Sequence, residues 1–200
     1  MPTKFDPRQK ERLLSADREA RLHPKELLRT LGLKAGDSLA DIGCGPGFFT
    51  IPAAELVGPD GQIVAADIQG EMLTTVRVRA AEQGLHNVRL VKASESDVPL
   101  RPGQFDVVLS AFVLHEVPRH ATFLRKMALL LKPKGRLAVM EWQKRATEFG
   151  PPLEDRITPD ELIADAQAAG LRMSKRQDLG DEQYLCVFVA IEKESGAASK

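Results

Sequence analysis

Residues 39–50 read Leu-Ala-Asp-Ile-Gly-Cys-Gly-Pro-Gly-Phe-Phe-Thr and decide the fold class of this 200-residue chain. The run from Ser38 to Ile42 is typical of a strand, and a helix is predicted from about Phe48 to Val57. Glycines in the turn between them allow the backbone to approach a ligand closely, because a Cβ atom would collide with it. The stretch therefore predicts a strand, a ligand-binding turn and a helix.

The glycine spacing and the acid before it indicate the charge of the ligand. Dinucleotide-binding turns carry G-x-G-x-x-G and place a pyrophosphate at a helix N-terminus, whereas this turn has Gly43, Gly45 and Gly47. Asp41 stands at the strand end, where a carboxylate would repel a pyrophosphate but suits a cation or an amino group. The pattern favours a positively charged, adenosine-containing ligand.

A second carboxylate follows at the distance expected for a nucleoside site. Asp67 ends the next predicted strand, 20 residues after Gly47. From this place a carboxylate can accept hydrogen bonds from both hydroxyls of a ribose. An N-cap for the following helix is the alternative role of Asp67. The turn and the acid together predict a nucleoside site.

Outward from this unit, strands and helices alternate, which predicts a layered α/β domain with a mostly parallel sheet. Residues 105–111 form a Val- and Leu-rich run without polar alternation, as expected for a central strand buried on both faces. The other predicted strands are residues 62–67, 88–92 and 136–141 and a final hairpin over 171–191. The other predicted helices are residues 71–83, 121–131 and one that Thr158 caps and Gly170 ends.

Composition and charge exclude several classes of protein. The chain is 43% hydrophobic and 28% charged, which excludes collagen-like, low-complexity and wholly disordered chains. Twenty-eight basic residues balance 28 acidic ones, so no global field attracts the chain to nucleic acid or an anionic membrane. Cys44 and Cys186 are the only cysteines, too few for a disulfide framework or a four-ligand zinc site. The polar start and the lack of a long apolar window predict a soluble, cytoplasmic protein.

One domain is predicted over residues 36–192, with an addition at each end. Residues 1–35 read as two helices, the first capped by Asp6 with Pro7 at its first position and the second opened by Pro24. The pattern of this extension is amphipathic, and we expect it to act as a lid. Residues 193–200 are predicted to be a disordered polar tail.

From about Leu28 to Ile191 the chain resembles the class I S-adenosylmethionine-dependent methyltransferases. Four stretches carry the resemblance in order along the chain, namely residues 41–47, 67–72, 105–110 and 131–137. The chain is most similar to the small members grouped near the quinone and arsenite enzymes. The implied fold is a Rossmann-like three-layer sandwich whose seven-stranded, mostly parallel sheet has the order 3-2-1-4-5-7-6, with strand 7 antiparallel.

The resemblance implies S-adenosylmethionine as the cofactor and assigns residues to it. In the family, the glycine loop cradles the methionine part, the acid after strand two holds the ribose, and its apolar neighbours flank adenine. The implied cofactor-binding residues are Asp41, Gly43, Cys44, Gly45, Gly47, Asp67, Ile68, Met72, Ser94, Glu95 and Ser110. Many relatives have an acid after strand three that binds the adenine amino group; this chain has Ala93 there, and Ser94 is the expected substitute. Cys44 is expected to be a small buried filler rather than a reactive thiol.

Candidates for the chemistry follow the fourth predicted strand, on the same edge of the sheet. Histidine titrates near neutral pH, so His115 is the candidate general base, with Glu116 orienting it or acting alone. The alternative is that both residues begin or cap the next helix and face solvent. His115 and His120 do not share a helical face, and Pro118 lies between them, so no metal site is predicted.

Aromatic residues near this edge are candidates for a substrate-binding wall. Phe112 follows the fourth strand, Trp142 ends the fifth, and Tyr184 lies in the final hairpin. Core packing is the alternative role of each.

The leading function is therefore methyl transfer to a small-molecule nucleophile. Zero net charge argues against RNA or DNA as substrate, as does Ser110-Ala111-Phe112-Val113 where adenine amino methylases resemble Asn-Pro-Pro-Tyr. The alternatives are a nucleic-acid or protein methyltransferase, a nicotinamide oxidoreductase and a protein that holds the cofactor without turnover. We expect a monomer or a homodimer.

Overall fold

The strands form one mixed sheet in a computed structural model, which describes residues 5–191. They are β1 Ser38–Ile42, β2 Gln62–Asp67, β3 Val88–Lys92, β4 Phe105–Ala111, β5 Leu131–Trp142, β6 Leu171–Leu179 and β7 Gln183–Ala190. Their order across the sheet is β3-β2-β1-β4-β5-β7-β6. In this order the first five strands, β3, β2, β1, β4 and β5, pair in parallel, and β7 is antiparallel to both of its neighbours, β5 and β6. The predicted order and the antiparallel seventh strand are confirmed.

Helices cover both faces of the sheet. They are α1 Ala16–Leu22, α2 Pro24–Thr30, α3 Thr50–Val57, α4 Gly70–Glu82, α5 His120–Leu129 and α6 Pro159–Ala168. Three 3-10 segments, Pro7–Leu14, Leu114–Glu116 and Leu153–Asp155, lie in the connections. The predicted capping box of α6 is present, because the Thr158 hydroxyl accepts the Glu161 N–H and the Glu161 carboxylate accepts the Thr158 N–H. Between residues 5 and 191, none of the helices has both the length and the apolar character needed to cross a membrane.

Strand β4 is central because its side chains are apolar on both faces. Val108 is fully buried among Leu124 of α5 and Leu162 of α6. Val107 and Leu109 are fully buried on the opposite face, in the cluster that contains the residues of α2 and α3. Burying a side chain of this size contributes about 1.5–3 kcal/mol, so the helical layers fix β4 from both sides.

The sheet brings several polar side chains to one edge. The direction of the strand order changes between β1 and β4, and at such a point the carboxyl ends of parallel strands border a crevice. Asp41, Asp67, Ser110 and Glu141 lie at or near the carboxyl ends of β1, β2, β4 and β5. This is the edge on which open α/β sheets bind their ligands.

The N-terminal extension differs from the prediction of two helices. Asp6 caps the first segment as predicted, but the helix is interrupted at Ser15, whose extended backbone lets its hydroxyl accept the Arg18 N–H and start α1. His23 takes a left-handed conformation with φ of 42° and ends α1, and Pro24 then opens α2. The lid role of residues 1–35 stays a prediction, and the predicted tail over 193–200 lies outside the described residues.

The fifth strand is longer than predicted. It begins at Leu131 rather than Arg136, because Leu131 pairs with Phe105 ahead of an irregularity in the register between β4 and β5. Helix α5 consequently ends at Leu129, before the predicted residue 131.

Candidate active site

The glycine loop after β1 has a shape that other residues would not adopt. Gly43, Gly45 and Gly47 have φ of 72°, 51° and 84°, in the left-handed region that favours glycine. A Cβ atom on Gly43 would lie 2.3 Å from Cγ2 of Val113. The Gly43 N–H also donates to the Ala66 carbonyl at 2.8 Å, so the loop is fixed against β2.

Asp67 faces this loop directly. Its Oδ2 accepts the Gly45 N–H at 2.9 Å, and its Oδ1 accepts the Gln69 N–H at 2.8 Å. The residue is 7% exposed, and burial raises the pKa of the carboxyl despite these two hydrogen bonds. Each oxygen of an ionised carboxylate can accept more than one hydrogen bond, so acceptor capacity remains for two ligand hydroxyls. The N-cap of α4 is Gln69 rather than Asp67.

Asp41 lies deeper at the same edge. Its Oδ2 accepts the Thr50 hydroxyl at 2.6 Å, and only 2% of the residue is exposed. Burial raises the pKa of this carboxyl to about 7, and the nearby Asp67 adds to the rise. A cation placed here would favour ionised Asp41, because an opposite charge stabilises a buried carboxylate.

Arg18 of α1 contributes a cation that the sequence analysis missed. Its Cζ lies 4.3 Å from the ring centroid of Phe48 and 5.3 Å from that of Phe112. Burial lowers the pKa of the guanidinium to about 10, although Asp41 is close enough to oppose this effect. No spacing in the sequence indicates this position, because it depends on how α1 docks on the sheet.

Residues 5–22, which we call the strap, cross over the glycine loop. At one end the Phe5 N–H donates to Glu116 Oε1 at 3.1 Å, and the Gln69 amide donates to the Phe5 carbonyl at 2.9 Å. Further along, Cδ1 of Leu13 lies 3.6 Å from where a Cβ of Gly45 would be. The strap therefore connects the residues that follow β2 and β4, on the edge of the sheet where Asp41, Asp67 and the loop lie.

His115 is held by a carboxylate from the neighbouring strand. Its Nδ1 lies 2.8 Å from Glu141 Oε2, and its backbone N–H donates to Glu141 Oε1 at 3.2 Å. Its Nε2 is 4.0 Å from Glu116 Oε1. His115 is 7% exposed and α5 begins at His120, so the solvent-facing alternative is wrong. Glu141 makes the closer contact with the ring, and the role of Glu116 stays a prediction.

Two of the three predicted wall residues lie together. The rings of Phe112 and Trp142 are 5.8 Å apart and tilted, and Cζ of Arg156 lies 5.4 Å from the Trp142 ring centroid. Tyr184 is different, because its side chain is fully buried and its hydroxyl donates to the Ile157 carbonyl at 2.8 Å. The prediction of Tyr184 in the substrate wall is therefore wrong, and its alternative role in the core applies.

The remaining predicted cofactor residues differ in their exposure to solvent. Met72 and Cys44 are buried, and burial raises the pKa of the Cys44 thiol, as expected for a filler. Ile68 is half-buried, whereas Ser94 and Glu95 are exposed. Ser94 makes a local turn in which its hydroxyl accepts the Asp97 N–H at 3.0 Å. This turn uses one acceptor site of the Ser94 hydroxyl, which was expected to bind the adenine amino group in place of the acid that Ala93 replaces.

Comparison with known proteins identifies the family. Residues 33–191 match a family model described as a methyltransferase domain. The chain belongs to this methyltransferase family. A structure described as an S-adenosylmethionine-dependent methyltransferase from Aquifex aeolicus is similar, with 30% identity, a TM-score of 0.87, and coverage of 92% of this chain and 98% of that one.

Two curated relatives of this methyltransferase have quinones in their names. A ubiquinone/menaquinone biosynthesis C-methyltransferase from Marinomonas sp. is 36% identical over 130 residues, which are 64% of this chain and 52% of the relative. A demethylmenaquinone methyltransferase from Listeria monocytogenes is 33% identical over 117 residues, or 58% of this chain and 49% of the relative. The chain spans about half the length of the curated relatives it matches.

The site of this methyltransferase fits the cofactor of its family. The Val113 side chain takes the space over Gly43, whereas a Cβ atom on Gly45 would meet only Leu13 of the strap, at 3.6 Å. Asp67 has acceptor capacity for the ribose hydroxyls, and Asp41 suits the ammonium of the methionine part. Within the described residues the buried Ser110 hydroxyl has no hydrogen-bond partner, and such a group is expected to find one in a ligand or water.

Proposed function

We propose that this chain transfers the methyl group of S-adenosylmethionine to a small aromatic nucleophile. The observation that carries the proposal is the hydrogen bond between Asp67 and the Gly45 N–H, which joins the ribose-type acid to the glycine loop. When bound, the cofactor supplies an electrophilic methyl group on a sulfonium. The chain binds it through Asp41, the loop and Asp67, and it excludes water from the crevice. Alignment and water exclusion of this kind can be worth about 7–11 kcal/mol.

The aromatic character of the acceptor is supported by two observations. Phe112 and Trp142 form a half-buried aromatic pair at the carboxyl ends of β4 and β5, and such surfaces favour flat apolar ligands. The two curated relatives compared above have quinones in their names. A hydroquinone is the acceptor class that fits both. The zero net charge of the chain weighs against a nucleic acid.

Calorimetry with the full chain tests the cofactor. S-adenosylmethionine and S-adenosylhomocysteine are expected to bind, and NADH is expected to bind at least about tenfold more weakly, because Asp41 would repel its pyrophosphate. Preference for NADH would reverse the proposal. A labelled-methyl assay with hydroquinones, thiols and tRNA then separates an enzyme from a binding protein, since binding without transfer to any acceptor supports the second.

We propose further that the strap closes the crevice and that Arg18 fastens it. Arg18→Gln removes the contacts with the Phe48 and Phe112 rings, so the strap is expected to open. We expect kcat/KM to fall about 10- to 100-fold, as for a misaligned reactant. The melting temperature is expected to change by only about 2–4 °C, because relief of a half-buried charge offsets the lost contacts.

Arg21→Gln is the matched control, since Arg21 lies on the same helix but pairs with Glu182 at the surface. Its kinetics are expected to match those of the unmodified chain. Unchanged kinetics of Arg18→Gln would contradict the lid, and so would a loss of activity that only follows a large loss of stability.

A further inference from the structure

A histidine–glutamate pair is built between the ends of β4 and β5. Glu141 is fully buried, and both of its carboxylate oxygens accept hydrogen bonds from the same residue. Oε2 lies 2.8 Å from the ring Nδ1 of His115, and Oε1 accepts the His115 backbone N–H at 3.2 Å. The two contacts fix both the position of the His115 backbone and the orientation of its ring.

The contact also selects the tautomer of the imidazole. A carboxylate can only accept, so the neutral ring carries its proton on Nδ1 and leaves a lone pair on Nε2. Nε2 is on the side of Glu116, whose Oε1 is 4.0 Å away and also accepts the Phe5 N–H of the strap. The nitrogen that carries the lone pair therefore lies on the side where Glu116 binds the strap.

We propose that Glu141 is the positioning residue that makes His115 a general base, and that the acceptor is an aromatic compound with an ionisable hydroxyl group. The inference rests on the proposed function. Nε2 takes the hydroxyl proton and becomes part of an imidazolium, which the Glu141 carboxylate stabilises. The acceptor's electron pair forms the new bond to the methyl carbon, and the S–CH3 bond breaks with its pair remaining on sulfur. An already ionised thiolate needs no such base.

The charges around His115 agree with this role. Glu141 from β5, Glu116 from the same 3-10 segment and Asp155 from the segment Leu153–Asp155 all act on the ring. Burial opposes protonation, but these carboxylates outweigh it, so the pKa of His115 lies above its ordinary value of 6.5. Tyr184 is the register partner of Glu141 on the adjacent strand β7, but its hydroxyl donates to the Ile157 carbonyl. A base of raised pKa accepts a proton more strongly.

Glu141→Gln tests the pair, with Glu116→Gln as the matched control. The first readout is nitrogen NMR of His115 in the full chain. The unmodified chain is expected to show the Nδ1–H tautomer and a pKa above 6.5, and the pKa is expected to fall below that of the unmodified chain in Glu141→Gln. Glu116→Gln is expected to keep the tautomer. An Nε2–H tautomer, or an unchanged pKa in Glu141→Gln, would overturn the positioning role.

The second readout is methyl transfer to methylhydroquinone and to thiophenol across a pH series. Glu141→Gln is expected to lower kcat for methylhydroquinone about 100-fold, within the range of general-base effects, and to move the rising limb of the pH profile. Transfer to thiophenolate is expected to be unaffected within about twofold, because it needs no base. Equal losses with both acceptors overturn the inference, as does an unmodified chain that uses thiophenol but no hydroxyl acceptor.

Calorimetry with S-adenosylhomocysteine separates a failure of the Glu141 role from a failure of the proposed function. Glu141→Gln is expected to bind it as the unmodified chain does, since Glu141 contacts His115 rather than the glycine loop. If the unmodified chain neither binds nor transfers, the proposed function fails, and the NMR measurement still decides the tautomer and the role of Glu141.

Discussion

Asp67→Ala is expected to weaken the binding of S-adenosylhomocysteine by about 1.5–3 kcal/mol, the range for hydrogen bonds to a charged group. The carboxylate joins two parts of the site, because it accepts the Gly45 N–H and the Gln69 N–H and retains acceptor capacity for the ribose. Its removal therefore leaves both the Gly45 N–H and the ribose hydroxyls without their acceptor. Calorimetry measures the change directly.

Adenosine distinguishes the two losses, because it has the ribose but lacks the methionine part that lies on the glycine loop. Asp67→Ala is expected to weaken adenosine as well as S-adenosylhomocysteine. Asp60→Ala, an exposed acid in the turn after α3, is the control and is expected to leave both dissociation constants unchanged. Equal affinities of Asp67→Ala and the unmodified chain would refute the assignment of the ribose site.

The sequence predicts the sheet well where the structure depends on local pattern. The bounds of β1, β2, β3 and β4 match the predicted residues, because apolar runs bounded by turn residues determine where such strands begin and end. The β5 start at Leu131 was missed, since it depends on pairing with Phe105. The break at Ser15 was also missed, although serine is a common N-cap and its position could have indicated it.

The same distinction applies to the site. Asp41, the glycine loop and Asp67 lie in one β-α-β unit, so their chain spacing already indicates their proximity. Glu141 and His115 are 26 residues apart and meet only because β4 and β5 are neighbours. Tyr184 could have been placed from its pattern, because it alternates with Cys186 and Phe188, which are also fully buried in one cluster.

Asp41→Asn is expected to stabilise the ligand-free chain while it impairs cofactor binding. Folding raises the carboxyl pKa from 3.8 to about 7, chiefly by burial. Between pH 3.8 and about 7 the folded chain therefore keeps a proton on Asp41 that the unfolded chain has lost. The contribution of this proton to the free energy of unfolding is fully present below pH 3.8 and is lost as the pH rises to about 7. At 1.36 kcal/mol per pKa unit, burial of the ionised Asp41 lowers the free energy of unfolding at pH 8 by an amount of the order of 4 kcal/mol.

Asparagine has the shape of the protonated acid and can still accept the Thr50 hydroxyl, so urea unfolding at pH 8 should reveal the gain in stability, which shrinks toward pH 5.

Binding is expected to respond in the opposite direction. S-adenosylhomocysteine carries an ammonium that favours ionised Asp41, and its affinity should fall about tenfold or more. 5′-Methylthioadenosine lacks the amino-acid part and should bind Asp41→Asn and the unmodified chain alike. Equal losses with both ligands would place the Asp41 effect in the loop structure, and a less stable variant at pH 8 would contradict the buried, protonated acid. Burial of the Asp41 carboxylate thus has two consequences: it destabilises the ligand-free chain, and it favours a ligand that carries a positive charge.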